Sequence, residues 1–222
     1  MIRCRKMFWE EKMKNNYIVI GDSIMYGIGD YENGGWSAMF KRFVVNKDDS
    51  KICNNFVQVA GFPGATSKDI LNKIDSILDC FKYDEFNNVV ILSIGVNDTQ
   101  CFNGNFKVSI DNYKNNIESI IKRIVARGFE LVVLGLTRIE LDGKLEFKPN
   151  KFYDNNNIAE YDKDLKLILE NNTILKELCD ENKIKYIPMQ DVLQKNDFID
   201  GLHPNTKGHI KIFEQVKKYI NE

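Results

Sequence analysis

Apolar residues along this chain fall into two alternating patterns. Short runs of four to seven residues, rich in β-branched side chains, are apolar at consecutive positions, which is typical of parallel strands covered on both faces. These runs predict strands at residues 17–21, 56–60, 88–94, 130–136 and 184–187. Between them, apolar residues recur every three to four positions, which is the spacing of one face of a helix.

The second pattern predicts helices at residues 35–45, 67–81, 107–127, 157–182 and 205–220. Ser67 suits the N-cap of the second helix and Gly128 the end of the third. Residues 138–156 lack this periodicity and hold the turn signals Asp142-Gly143 and Pro149. They predict a surface excursion that helps to frame a substrate site. Strands that alternate with helices predict one doubly wound α/β domain with a mostly parallel five-stranded sheet flanked by helices.

We expect this domain to cover residues 13–222, with residues 1–12 as a loose N-terminal tail. The basic start is not followed by an apolar stretch of signal-peptide length, because charged residues at positions 10–12 interrupt it. Met13 leads directly into the first predicted strand, so translation from Met13 is an alternative to translation from Met1.

The overall composition and net charge of the chain limit the kinds of partner that it can bind. A net charge of −1 over 222 residues gives no electrostatic case for binding nucleic acid or an anionic membrane. No segment approaches the roughly 20 apolar residues of a membrane span. The five cysteines are scattered and form no CxxC pair, which argues against a disulfide framework or a zinc site. We therefore expect a cytoplasmic protein that acts on a small molecule, and the sequence does not indicate an oligomeric state.

Four polar motifs carry the candidate chemistry. Three follow predicted strands: Gly21-Asp22-Ser23, Pro63-Gly64-Ala65-Thr66 and Gly95-Val96-Asn97-Asp98. The fourth, Asp200-Gly201-Leu202-His203, precedes the last helix. Taken singly, each motif is more often a turn or a helix cap than a functional site. Taken together and in this order they favour a functional site, because ligands of open α/β sheets bind at the carboxyl ends of the strands.

The four motifs resemble those of the SGNH (GDSL-type) esterase/lipase family over residues 17–220. The resemblance implies a flavodoxin-like α/β fold and hydrolysis of esters. Two positions depart from the family pattern. Ile24 stands where the four-residue motif has leucine, and the second motif lacks the asparagine that often precedes its glycine. The second departure leaves Gly61 as an alternative to Gly64.

The resemblance assigns Ser23 as the nucleophile and Asp200 and His203 as the other members of a catalytic triad. It assigns Ser23, Gly64 and Asn97 to the oxyanion hole, and it implies no metal or organic cofactor. The residue types suit this chemistry. On a helical turn Asp200 and His203 lie on one face, so the carboxylate can accept from Nδ1 and leave Nε2 to take the Ser23 proton. Backbone N–H groups and a neutral side-chain amide are suitable donors to an oxyanion.

Other interpretations fit less well. The nucleophile elbow of the α/β-hydrolase fold, Gly-x-Ser-x-Gly, requires glycine where this chain has Met25. A dinucleotide-binding fingerprint starting at Gly27 requires glycine at the position of Glu32. His209 is interpreted as a packing or surface histidine of the last helix. A non-catalytic carbohydrate- or lipid-binding module remains the alternative of a different class.

The sequence therefore predicts a serine esterase that cleaves small acyl esters, including acetyl esters of carbohydrates, through an acyl-enzyme. A lysophospholipase or thioesterase on the same scaffold is the alternative enzyme. Several residues that follow the site strands either line an acyl pocket or are structural: Ile24, Met25, Thr99, Cys101 and Phe102.

Overall fold

The computed structural model describes residues 14–46, 55–102, 105–140, 144–147, 157–160 and 166–221. The predicted tail (1–12) and the alternative start at Met13 lie outside these ranges, and so do two ends of the predicted domain, residues 13 and 222. Both statements about the beginning of the chain stay predictions.

Helices separate the strands of the main sheet along the chain. The described strands and helices are β1 (Asn15–Gly21), α1 (Ser23–Tyr26), α2 (Trp36–Asn46), β2 (Asn55–Gly61), α3 (Ser67–Phe81), β3 (Asn87–Ser93), β4 (Cys101–Phe102), β5 (Asn105–Phe106), α4 (Ile110–Ala126), β6 (Glu130–Leu134), β7 (Lys144–Phe147), β8 (Asn157–Glu160), α5 (Lys166–Glu181), β9 (Lys185–Ile187) and α6 (Thr206–Asn221).

Five strands form one sheet in the order β2-β1-β3-β6-β9. All neighbouring strands in it run parallel, so the predicted five-stranded α/β fold is confirmed. Helices α3, α4 and α5 pack side by side, and α2 packs on α6. Because β1 connects to β2 in the direction opposite to the later crossovers, right-handed connections place these two groups on opposite faces of the sheet.

The central strands carry the core. Ile18 and Val19 of β1 and Val90 and Ile91 of β3 are fully buried, because helices cover both faces of the sheet. Burial on both faces is the reason that these strands are apolar at consecutive rather than alternate positions.

Two helix ends were predicted from single residues. The predicted N-cap Ser67 is wrong, because Thr66 caps α3 and forms a reciprocal capping box with Asp69. Gly128 ends α4 as predicted: it directly follows the C-cap Arg127 with φ 79°. The amides of Gly128 and Phe129 return to helix carbonyls at 2.9 and 3.3 Å, the pattern of a Schellman motif.

The helix predicted at residues 157–182 is partly wrong, whereas the surface excursion predicted at residues 138–156, in which residues 144–147 form β7, stays a prediction. Residues 157–160 are not helical but form β8, which pairs antiparallel with β7 in a second sheet of order β5-β4-β8-β7. Helix α5 begins at Lys166, and residues 141–143, 148–156 and 161–165 lie outside the described residues. A four-residue segment is too short for periodicity to separate strand from helix, and here pairing with β7 decides.

Strand register brings the site motifs to one edge of the main sheet. Gly21 at the end of β1 lies opposite Gly61 of β2 and Ser93 of β3. A Cβ atom on Gly21 would lie 2.2 Å from the Ser93 carbonyl oxygen, so only glycine fits between the strand ends. The three loops that leave these strands therefore start side by side.

None of the helices within the described ranges is long and apolar enough to cross a membrane.

Candidate active site

Ser23 is the first residue of the short helix α1, directly after β1. The carboxylate of Asp22 caps this helix by accepting the Ile24 N–H at 2.9 Å. Gly27 ends the helix with φ 102°, a conformation that favours glycine. The first amides of a helix have no intrahelical partner, so the N–H of Ser23 is available to a ligand at this strand edge.

The predicted triad residues lie in hydrogen-bonding contact across 180 positions of sequence. His203 Nε2 lies 3.0 Å from Ser23 Oγ, and His203 Nδ1 lies 2.7 Å from Asp200 Oδ2. The carboxylate selects the tautomer that carries its proton on Nδ1, and Nε2 is then the acceptor for the serine hydroxyl. The geometry allows the histidine to remove the Ser23 proton.

Asp200 is held by more than the histidine ring. Its Oδ1 accepts the backbone N–H groups of Leu202 and His203 at 3.0 and 2.7 Å. Partial burial alone raises the pKa of Asp200, but these bonds and the histidine outweigh burial and lower the pKa to about 2. Asp200 is therefore ionised at neutral pH. The segment is a bend closed by Asp200 rather than the helical turn expected from the sequence.

Gly64 occupies a tight turn after β2. The Ala65 N–H donates to the Phe62 carbonyl at 2.9 Å, and Gly64 has φ 78°. Proline followed by glycine in this conformation is typical of a type II β-turn. The turn uses the amide of Ala65 and not that of Gly64. Gly61, the alternative, lies within β2 under the ring of Tyr26, which favours Gly64 as the donor.

Asn97 begins a 3₁₀ turn after β3 and is only 4% exposed. Its Nδ2 donates to the Ala65 carbonyl at 3.0 Å, and its Oδ1 accepts from Gln100 Nε2 at 2.9 Å. The bond from Gln100 fixes which end of the amide is the oxygen. Asn97 Nδ2 thus faces the loop that carries Gly64.

Two buried carboxylates lie beneath these loops. Burial raises the pKa of Asp22 to about 6 and the pKa of Asp98 to about 7, and the charge of Asp22 adds to the shift of Asp98. Asp98 accepts both the N–H and the hydroxyl of Ser67. It thereby satisfies the first amide of α3 from a different loop, which is a structural role.

His209 and Asp30 hold the segment that follows α1 against the last helix, α6. His209 is fully buried, accepts the Trp36 N–H at Nδ1 (3.3 Å) and contacts the Ile28 carbonyl through Nε2 (3.1 Å). The packing role predicted for His209 is confirmed. Asp30 accepts three backbone amides of its own loop and the Thr206 hydroxyl at 3.0 Å. Sequence patterns did not single out Asp30, because its partners are distant or are backbone groups.

Most of the candidates for an acyl pocket belong to the core. Ile24, Met25 and Thr99 are at most 5% exposed, so the structural interpretation holds for them. Cys101 is half-buried at the start of β4, and the side chain of Phe102 lies outside the described side chains.

Solved structures of other proteins share this architecture. Similar are an esterase, EstA, from Pseudoalteromonas sp. (17% identity, TM-score 0.62, 93% of this chain and 99% of that chain), an acetyl xylan esterase from Geobacillus stearothermophilus (18%, 0.71, 92% and 94%) and a lipase/acylhydrolase from Enterococcus faecalis (16%, 0.64, 93% and 95%). At these identities the likeness shows the fold. A comparison with curated proteins gives no significant match.

The fold is thus that of single-domain, parallel-sheet acylhydrolases. The family model described as GDSL-like Lipase/Acylhydrolase matches residues 19–210. The chain belongs to this family, as the four motifs predicted, and is a carboxylic ester hydrolase.

Proposed function

We propose that the protein is a serine esterase for small acyl esters, with Ser23, His203 and Asp200 as its catalytic triad. The observation that carries the proposal is the continuous hydrogen-bond chain from Ser23 Oγ through the imidazole to Asp200, at 3.0 and 2.7 Å. A serine, a base and an orienting carboxylate in this order are the requirement for an activated hydroxyl nucleophile.

The reaction then has two halves. Ser23 Oγ attacks the ester carbonyl while His203 Nε2 takes its proton, and the same imidazolium returns the proton to the leaving alcohol as the C–O bond breaks. A water molecule attacks the acyl-enzyme with His203 again as base, which releases the carboxylic acid and restores Ser23. Asp200, ionised because its pKa is lowered to about 2, stabilises the imidazolium throughout.

The oxyanion is held by the N–H groups of Ser23 and Gly64 and by Asn97 Nδ2. The φ of 78° at Gly64 and the buried, oriented amide of Asn97 support these roles. Donors fixed before the reaction cost no reorganisation when charge develops on the carbonyl oxygen.

A short acyl group is favoured because the side chains next to the nucleophile, Ile24 and Met25, are buried in the core. Tyr26 is 57% exposed and lies against Gly61 at the end of β2. Its flat aromatic face suits the apolar face of a sugar ring. Acetyl esters of carbohydrates are therefore the substrate class we propose, as in the acetyl xylan esterase with the same fold.

We also propose a cytoplasmic location. Cys80, Cys101 and Cys179 are free thiols, which fits a reducing compartment.

A substrate panel tests this proposal. It contains nitrophenyl esters from acetyl to dodecanoyl, acetylated xylo-oligosaccharides, a lysophospholipid and an acyl thioester. We expect the highest kcat/KM on acetyl esters and near-complete loss in Ser23→Ala, because no other group can replace the attacking oxygen. Ser76→Ala is the matched control, since Ser76 is exposed on α3.

A phosphonate ester separates the enzyme from a binding module. The EstA structure was inhibited by monoethylphosphonate, and such a group mimics the tetrahedral intermediate. Mass spectrometry should find the adduct on Ser23. An unlabelled Ser23 together with no ester turnover would contradict catalysis and favour the binding module, whereas preference for long chains would favour the lysophospholipase.

A further inference from the structure

Gln100 and Lys107 lie outside the four motifs. Together they contact both loops that carry the proposed oxyanion donors Gly64 and Asn97. We propose that Lys107 and Gln100 are positioning residues that form a polarised hydrogen-bond relay ending on the Asn97 amide. This inference rests on the proposed function, because it takes Asn97 and Gly64 as oxyanion donors.

The relay has one direction along its whole length. The Lys107 ammonium donates to Gln100 Oε1 at 3.3 Å, and Gln100 Nε2 donates to Asn97 Oδ1 at 2.9 Å. Each amide thus accepts on its oxygen and donates from its nitrogen. Bonds arranged head to tail polarise one another, so the positive charge makes the N–H groups of Asn97 stronger donors.

The same ammonium also holds the second loop. Lys107 Nζ donates to the Gly64 carbonyl at 3.1 Å, and Asn97 Nδ2 donates to the next carbonyl, that of Ala65, at 3.0 Å. The contacts close a ring that runs from Lys107 through Gln100 and Asn97 to the Gly64 turn. The two loops that carry the proposed donors are therefore braced by Lys107 and Gln100, which lie outside the proposed triad and oxyanion hole.

The local charge gives Lys107 a second effect. The carboxylates of Asp22, Asp69 and Asp98 surround these loops, and negative charge opposes an oxyanion. Lys107 is exposed by its accessible surface; desolvation by the neighbouring loops lowers the pKa of its ammonium group, while Asp69 and Asp98 counteract this shift and favour its charged form. Lys107 thus brings positive charge close to the place where the reaction creates negative charge.

The kinetic test removes the charge and keeps most of the side-chain volume. We expect Lys107→Met to lower kcat by about tenfold with KM changed less than about twofold, because a relay acts on the transition state and contributes less than the direct donor. Lys107→Arg, which can donate to both oxygens, should restore kcat to within about threefold. Gln100→Met breaks the relay at its middle and should also lower kcat, but by no more than Lys107→Met, because the contact of Lys107 with the Gly64 carbonyl remains.

Lys73→Met is the matched control. Lys73 lies near Asp69 and over the Phe62 ring but makes no relay contact, so its kcat should be unchanged. Equal losses in Lys107→Met and Lys73→Met would mean a general charge effect and would overturn the relay. A kcat of Lys107→Met within twofold of wild type would do the same.

A double-mutant cycle tests whether Lys107 acts through Asn97. In the Asn97→Ala background, Lys107→Met should cost clearly less than it does in wild type, since the end of the relay is already missing and only the contact of Lys107 with the Gly64 turn and its charge remain to be lost. A further tenfold loss in that background would contradict the inference.

An NMR measurement of the Asn97 side-chain amide tests the relay without an activity assay. The side-chain amide of Asn97, assigned by its loss in Asn97→Ala, should shift in Lys107→Met and stay in place in Lys73→Met. An unchanged Asn97 resonance overturns the relay even in an active enzyme. A wild-type protein that hydrolyses no ester while this resonance shifts would refute the proposed esterase and leave the relay supported.

Discussion

At the scale of single residues, the Asn97 amide divides its two hydrogen atoms between two tasks. One is donated to the Ala65 carbonyl at 3.0 Å, which fixes the side chain against the neighbouring loop. The other points to Asp22 Oδ2 across a long contact of 3.5 Å, which an oxyanion would replace in the proposed mechanism, and Gln100 prevents the amide from turning its oxygen toward that charge. The residue is thus held in place by the same group that serves the reaction.

Asn97→Ala should lower kcat by roughly 10²–10³, as loss of one oxyanion donor does in other hydrolases. Asn88→Ala is a matched control, because Asn88 is also buried and hydrogen-bonded but lies at the opposite end of β3. Steady-state kinetics check the prediction. A fall of less than about threefold in Asn97→Ala would contradict the role of this residue.

Asp98 should make the stability of the protein depend on pH. Its pKa, raised by burial to about 7 from 3.8 in the unfolded chain, means that the folded state keeps a proton between about pH 4 and 7 that the unfolded state releases. The stabilisation is present below pH 4 and is lost as the pH rises through 7. The free energy of unfolding of wild type, relative to Asp98→Asn, should therefore fall between pH 4 and 8 in urea titrations. A difference that is constant over this range would exclude a raised pKa.

At the scale of elements, the turn at Pro63-Gly64 requires glycine for its backbone conformation and not for close packing. A Cβ atom on Gly64 would meet nothing within 4 Å, so only its φ of 78° disfavours other residues. Gly128 at the end of α4 has φ 79° and equally open surroundings. The two glycines differ in location and not in local conformation.

Gly64→Ala and Gly128→Ala should therefore each reduce the free energy of unfolding by about 1–2 kcal/mol. Only Gly64→Ala should reduce kcat, because a shift of its turn moves a proposed oxyanion donor. Thermal melts and ester kinetics on both variants check this. Equal activity of the two variants would show that the Gly64 amide does not take part.

The main sheet and the four site motifs were predictable because their signals are local. Buried parallel strands such as β3 show continuous apolar runs, and the site motifs follow strand ends directly. Other features depend on contacts that no spacing encodes. Residues 157–160 became a strand through pairing with β7, and Lys107 reaches Gly64 across 43 positions of sequence.

At the scale of the whole molecule, the segment that follows α1 is joined to α6 and to the loop before α6. Asp30 accepts the Thr206 hydroxyl, and His209 binds Trp36 and Ile28. Gly29 passes so close to the loop before α6 that a Cβ atom would lie 2.2 Å from the Pro204 carbonyl oxygen. These contacts, rather than the sheet alone, set the distance from Ser23 to His203.

His209 links this junction to acid stability. Burial lowers the pKa of His209, so below about pH 6.5 the unfolded chain binds a proton that the folded state does not. Stability is therefore lost as the pH falls through this value. The free energy of unfolding of wild type, relative to His209→Gln, should be smaller at pH 5 than at pH 7.5. An equal difference at both pH values would show that His209 does not titrate between the two states.

The long separation between Ser23 and His203 has a consequence for synthesis. A ribosome completes β1, α1 and most of the sheet before it adds the histidine, so the growing chain carries the proposed nucleophile without its proposed base. With the proposed triad, hydrolysis can start only after α6 has docked on the segment that follows α1. Ester turnover during translation would therefore report the moment at which the last helix reaches its native position.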